Sequence, residues 1–474
     1  MQERIKRLGV NTILVFIGKA GSSIIGLLML PFYTHWLSTD EYGTTDLITT
    51  YSSILMGFLS CCVADAIFVF PKNADKIGRT RYYTSGYIFV AIMTCIVIAI
   101  MALLEVFGLN ISWAGVLFEK IWFVIAFAVC QFLQQYSQCF TRSIDKMRVF
   151  SISGIVYTGA IALFSFFILP RYGLNGYLFS MLLAMLVATV YTVIASGSYR
   201  YISIHGYDKS SLVELLKYGL PLIPNSLMWW IVNGINRPIM EANLGLDALG
   251  IYAVANKFPL LLSTLVSIFG TAWGITMLEE FGKPDFNQFF NKTLRMLYFV
   301  MIVGACVIAS CSKLIIYIFA DPAYFEAWKY IPILTLGIIL QNFSGTIGGV
   351  FMAEKTSKYF FYSSIWGAAA SLVATISCIK LMGLQGAAIA IAFSFLVMSI
   401  ARLIFAWKHI NEMRIGWYVV MTLLYIFFCI VVLQDAPLYI NVPLYIVILA
   451  VVCIYSKNEI VPVLDTIKDK FVKK

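Results

Sequence analysis

The sequence predicts an all-α polytopic membrane protein with about fourteen transmembrane helices, arranged as two parallel six-helix repeats followed by two extra helices. Three observations predict it: the composition, the spacing of the apolar runs, and an internal match at a nearly constant offset. Hydrophobic residues fill 61% of 474 positions, mean hydropathy is +0.86, and only 12% of residues are charged. Soluble domains carry about 25% charged residues, so the composition alone points to a chain dissolved in lipid.

Crossing the hydrocarbon core takes about 20 apolar residues in a helix. Runs of that length fall at 10–36, 44–70, 83–108, 113–140, 149–169, 174–197, 219–242, 250–277, 294–319, 331–352, 359–380, 385–407, 417–434 and 438–456. The basic residues set the expected orientation. Of 34 Lys and Arg, 25 fall in the termini and alternate loops, among them Arg142, Lys146, Arg148, Lys355, Lys358 and Lys408, and four fall in the opposite loops (Lys120, Arg171, Lys329, Lys380). That asymmetry predicts cytoplasmic termini and an even number of spans. The formal charge of +10 is then mostly topology signal, and the scattered basic residues with no accompanying motif exclude a nucleic-acid face.

Arg4-Ile-Lys-Arg7 before an apolar run has the look of a signal peptide, but the run is too long and carries Lys19, so an uncleaved first helix is expected. The ten cysteines fall almost entirely inside spans, as small apolar residues do, and His35, His205 and His409 are far apart, so neither a disulfide framework nor a metal site is expected.

The repeat rests on four matches. Leu37-Ser-Thr-Asp-Glu-Tyr-Gly43 after the first span lies over Leu244-Gly-Leu-Asp-Ala-Leu-Gly250 after the seventh, an offset of 207. Gln131 over Gln341, "RVFSISGI" from Arg148 over "KYFFYSSI" from Lys358, and Gly173-Leu-Asn-Gly176 over Gly383-Leu-Gln-Gly386 all follow at 210. The chain is therefore divided into an N-terminal half, 1–205, a C-terminal half, 206–415, and two extra helices with a basic tail, 416–474. Halves with an even number of spans share one orientation, a transporter arrangement whose substrate path runs between them.

Charges inside spans cost about 2.5–3.5 kcal/mol each at a helix centre and so call for partners, water or a function. Lys19, Arg237, Lys257, Lys313 and Arg402 are the cations, and Asp46, Asp65 and Glu241 the acids. Glu241 follows Arg237 by four residues, so an intrahelical ion pair competes with a cavity-lining role for Arg237. Lys313 is close enough to a helix end to snorkel. Asp46 and Asp65 fit either charge pairing or ion coupling. Gln131, Gln134, Gln135 and Gln138 have helical spacing and form one polar stripe, matched in the second half by Gln341, suited equally to sugar hydroxyls and to bonds between helices. Asn233 and Asn236 extend a polar side toward Arg237, and Pro238 removes a backbone donor beside it, which predicts a bent helix.

Four segments, "LSTDEYG", "KYGLPLIPNSLMWWIVNGINRPIM", "LGLDALGIYAVANKF" and "IFADPAYFEAWKYIPIL", make the chain resemble, over essentially its whole length, the Wzx-type polysaccharide flippases. These belong to the multidrug/oligosaccharidyl-lipid/polysaccharide exporter superfamily, with the MATE drug exporters and the lipid II flippase MurJ. The resemblance implies a MATE/MurJ-like fold, no catalysis, and translocation of an undecaprenyl-pyrophosphate-linked oligosaccharide repeat unit across the bacterial inner membrane by alternating access, for O-antigen, capsule or exopolysaccharide. It implies membrane lipid and the polysaccharide polymerase and chain-length machinery as further partners, and no cofactor apart from coupling to H⁺ or Na⁺. Because helices one, two, seven and eight line the cavity in that family, it also implies that Lys19, Arg237 and Lys257 bind the pyrophosphate. Guanidinium can grip phosphate oxygens with a bidentate fork and ammonium supplies a movable charge.

Overall fold

The computed structural model describes residues 16, 18–106, 115, 119–354, 356–434 and 438–455, and every extended regular element among them is a helix. The N-terminal basic residues Arg4, Lys6 and Arg7, Lys355, and the tail from Lys457 lie outside the described residues.

Residues 18–28 are helical and lead into α1 (Leu30–Trp36). Then come α2 (Thr39–Ser60), α3 (Val63–Val69), α4 (Lys76–Val106), α5 (Ile121–Ser143), α6 (Met147–Ser196), α7 (Lys209–Gly219), α8 (Ile223–Gly234) and α9 (Asn236–Glu280). The chain continues with α10 (Phe286–Ser310), α11 (Ser312–Phe319), α12 (Ile331–Ala353), α13 (Ser357–Ile410), α14 (Ile415–Leu433) and α15 (Leu438–Tyr455). Each predicted span, over its described residues, is mostly helical, with short breaks such as those at Cys61–Cys62, Ile235 and Cys311. Seven helices among the described residues are long and apolar enough to cross a membrane, or eight if α2 and the following bent segment to Asn73 form one broken span.

The long helices account for part of the difference from fourteen. α6 has 50 residues and is broken at Gly173 (φ 54°, ψ −137°), and α13 has 54 and is broken at Gly383 (φ 58°, ψ −133°). α9 is broken likewise at Gly245 (φ 83°). A left-handed glycine turns the chain without a loop, so one continuous helix assignment covers two predicted spans. The breaks at Gly173 and Gly383 coincide at the 210 offset in position and in backbone angles.

Lipid as solvent explains the rest. Apolar side chains such as Leu28, Ile96, Phe166, Phe167 and Val373 stand exposed on helix faces. Hydroxyls inside the helices bond their own backbone: Ser52 donates to Ile48 O (2.6 Å), Ser180 to Gly176 O (2.7 Å) and Thr335 to Ile331 O (2.6 Å). These hydroxyls are then not stranded where water is absent.

Two compact units emerge, Met1–Gly250 and Ile251–Lys474. The repeat division at 205/206 and this one differ because the helices of the seventh span pack along α2, as set out below. In the first unit, Tyr83, Tyr87 and Tyr136 stack around Gly86, where a Cβ would come within 2.1 Å of the Tyr136 hydroxyl. In the second, Tyr298, Phe343 and Tyr418 join α10, α12 and α14, and Tyr425 donates to Pro332 O (3.0 Å), so the first extra helix is packed into that unit.

Candidate functional site

The first unit gathers the predicted residues in two groups of contacts. The first centres on Arg237, in the opening turn of α9. The helix is interrupted just before it, at Ile235, where the amides of Ile235 and Ile239 reach their carbonyls only at 3.4 and 3.5 Å. Pro238 withholds a backbone donor there, in line with the predicted bend. Arg237 Nη1 donates to Asn233 O at 2.7 Å, and Asn236, fully buried, offers its side-chain oxygen at 3.5 Å.

The principal contact crosses to α2: Arg237 Nε donates to Asp46 Oδ2 at 2.6 Å, with the two side chains 14% and 21% exposed. Two further bonds tie α2 to the same helices. Tyr51 donates to Glu241 Oε2 at 3.4 Å, and Trp230 Nε1 to Thr50 O at 3.3 Å. Two acids, Asp46 and Glu241, thus stand beside the cation that was expected to bind an anion. The sequence could not show it, because Asp46 lies 191 residues away.

The second is an electrostatic neighbourhood around Arg142, whose charge acts on both Lys19 and Asp65. Arg142 looked like a loop charge in the sequence. The structure places it in the last turn of α5, half-buried, with its guanidinium 4.7 Å from the centre of Phe68 and 5.0 Å from that of Phe150. Nη2 donates to Cys139 Sγ at 3.3 Å, and the buried Nε has no hydrogen-bond partner. Lys19 and Asp65 both reach solvent. Two cations against one acid leave a formal charge of +1. An excess of cations over acids is the balance that suits an anionic ligand.

The remaining predicted residues are spread more widely. Gln138 donates to Ser153 Oγ at 3.0 Å, a bond between neighbouring helices, while Gln131 and Gln134 are half-buried on the same helix. Gln341 is half-buried on α12 of the second unit. Lys257, also in the second unit, has an exposed side chain. Lys313 sits 4.4 Å over the ring of Trp328. Arg402 is fully buried: Nη1 donates to Ser344 O at 2.7 Å, Nε to Ser363 Oγ at 3.3 Å, and the guanidinium lies 4.4 Å from the centre of Phe360. Phe360 and Ser363 are the repeat equivalents of Phe150 and Ser153, so each unit has a guanidinium over the aromatic ring at this repeat position.

No group of three or more His, Cys, Asp or Glu among the described residues could hold a metal ion.

Comparison with known proteins fits this picture. A structure of the lipid II flippase MurJ, in an inward closed conformation, superposes with a TM-score of 0.73 at 14% identity, covering 95% of this chain and 99% of that one. An inward-facing multidrug resistance MATE family transporter of the MOP superfamily gives 0.62 at 15% identity, over 86% and 98%. A MOP superfamily transporter from Pyrococcus furiosus, noted for the reverse polarity of its binding pocket, gives 0.53 at 14%, over 86% and 96%. These similarities show the fold. No curated protein matches the chain. Among family models, MatE matches residues 221–377 and the polysaccharide biosynthesis protein model matches 8–273, more than half of the chain. The chain is a member of the polysaccharide biosynthesis protein family, with a fold like that of the MATE and MurJ structures.

Proposed function

We propose that the protein is a flippase that moves an undecaprenyl-pyrophosphate-linked oligosaccharide repeat unit across the bacterial inner membrane by alternating access, for a surface polysaccharide. The head group is bulky, polar and doubly anionic, so its passage needs fixed charge and hydrogen-bond donors to replace lost water. The observation that carries the reading is the Lys19–Arg142–Asp65 group. It sets two cations against one acid, is exposed at Lys19 and Asp65, and carries a guanidinium that contacts the rings of Phe68 and Phe150. A carrier of cationic drugs would want the opposite balance.

The role of Arg237 is revised by Asp46. A pyrophosphate that binds Arg237 has to compete with a carboxylate already 2.6 Å away, whereas Arg142 has a buried Nε still to satisfy. Lys19→Ala and Arg142→Gln, each inserted in the membrane at parental levels, should reduce surface glycan by at least about tenfold in a strain that depends on this gene. Parental glycan in both variants would overturn the reading. A MurJ-like carrier of lipid II would use the same groups, and it is separated by whether the gene rescues a strain depleted of its lipid II flippase.

A further inference from the structure

The two repeat motifs touch each other. Gly43 and Gly250 are equivalent at the 207 offset, as are Thr39 and Leu246. A Cβ on Gly43 would come within 2.2 Å of Leu246 O, and a Cβ on Gly250 within 1.8 Å of Thr39 O. The contact is thus reciprocal: the glycine of each motif lies against the carbonyl at the same position of the other. Thr39 Oγ1 also donates to Asp247 Oδ1.

This contact ends a seam that runs along α2. Inward from it come the Arg237–Asp46 pair and the Trp230–Thr50 bond, and then a recess of about 70 Å³ lined by Ser53, Gly57, Phe58, Leu227 and Trp230. At the far end the seam closes again, with Cys61 O 2.3 Å from where a Cβ of Gly219 would stand. Cys61 and Cys62, both at positive φ (45° and 56°), break the helix there in a 60° bend.

We propose that the Gly43–Gly250 contact, with the Thr39–Asp247 bond, is a latch that closes the external end of the seam and parts when the protein opens outward. The basic-residue asymmetry places both motifs on the external side. The contact is built for release. The Thr39–Asp247 bond is exposed, so water replaces it at little cost when it breaks. The glycines allow backbone to meet backbone without a side chain to withdraw. The latch does not depend on what is carried.

The test uses the full chain with its native cysteines replaced, and carrying Thr39→Cys and Asp247→Cys. Mild oxidation should form a disulfide between them. It should also slow labelling of a third site, Ser53→Cys, by a membrane-impermeant maleimide added outside intact cells by at least about tenfold, with recovery on reduction. In the second arm Gly43→Val, which cannot fit the closed contact, should raise that labelling at least about threefold. Failure of the disulfide to form, or equal labelling in oxidised and reduced protein, would overturn the latch. So would unchanged labelling in Gly43→Val. If that variant does not accumulate, the disulfide arm decides alone. Maleimide labelling needs no substrate, so a loss of glycan export in every form would count against the flippase reading and not against the latch.

Discussion

Arg237 on α9 and Asp46 on α2 form an ion pair, Nε to Oδ2 at 2.6 Å, between residues 191 apart in sequence. Both side chains are mostly sheltered, and Asn233 O takes another guanidinium hydrogen at 2.7 Å. Removing either partner breaks this close, sheltered pair, while exchanging them keeps it. Asp46→Asn and Arg237→Gln should each destabilise the detergent-solubilised protein by about 1–3 kcal/mol. The double exchange Asp46→Arg with Arg237→Asp should recover part of that loss. Thermal unfolding followed by tryptophan fluorescence measures it, and strictly additive effects would show that the two residues are not coupled.

The paired turns at Gly173 and Gly383 give a second expectation. Their angles, φ 54° with ψ −137° and φ 58° with ψ −133°, lie outside the regions open to a side chain. Gly176 and Gly386, three residues on, sit against the carbonyls of Ile168 and Cys378, where a Cβ would stand 2.7 and 2.0 Å away. Ala at position 173 or 383 should cost about 1–3 kcal/mol each. Ala at 386 should cost more than Ala at 176, because its clash is the closer. Melting temperatures of the four single variants check both the equality and the ranking.

These turns also show what a linear reading can reach. The GLNG/GLQG match was visible because a left-handed turn admits glycine and little else, so geometry left its mark on residue type. The spans were legible because lipid selects long apolar runs. Arg142 was not legible: a charge at the end of an apolar run, close to Lys146 and Arg148, looks the same whether its side chain turns outward or folds back onto Phe68 and Phe150. Nor was the Asp46–Arg237 pair, since no periodicity links residues on different helices. Gly43 and Gly250 were matched as a repeat, but that the two copies touch is a fact of three dimensions.

A trade between the two units supplies a third prediction. In the first, Gln138 bonds Ser153; at the equivalent position of the second stands Gly348, and Arg402 bonds Ser363 instead. Gly348 makes room for it, since a Cβ there would come within 2.9 Å of Arg402 Nη1. Position 402 corresponds in turn to Thr192, whose hydroxyl bonds its own helix at Ala188 O (2.6 Å). Arg402→Thr should empty a fully buried site and cost about 3–5 kcal/mol. Adding Gly348→Gln, which rebuilds the arrangement of the first unit, should recover a measurable part. A double variant no more stable than Arg402→Thr would show that the two solutions are not interchangeable.

The junction between α12 and α13 gives the last expectation, a dependence on pH. Burial pushes the Glu354 carboxyl up, but bonds from Lys408, from Thr356 Oγ1 (2.9 Å) and from His409, whose Nε2 lies 3.2 Å away, outweigh it and hold its pKa at about 2, below the usual 4.5. A carboxyl whose pKa is lower in the folded than in the unfolded chain stabilises the fold fully above the unfolded value and loses that contribution as pH falls through the folded one. Glu354→Gln should therefore melt below the parent at neutral pH, by a margin that stays constant down to pH 4.5 and closes between pH 4.5 and about 2. Melting temperatures of both proteins in one detergent across that range measure the margin. A gap that persists unchanged to the acid end would mean that Glu354 acts through its shape and not its charge.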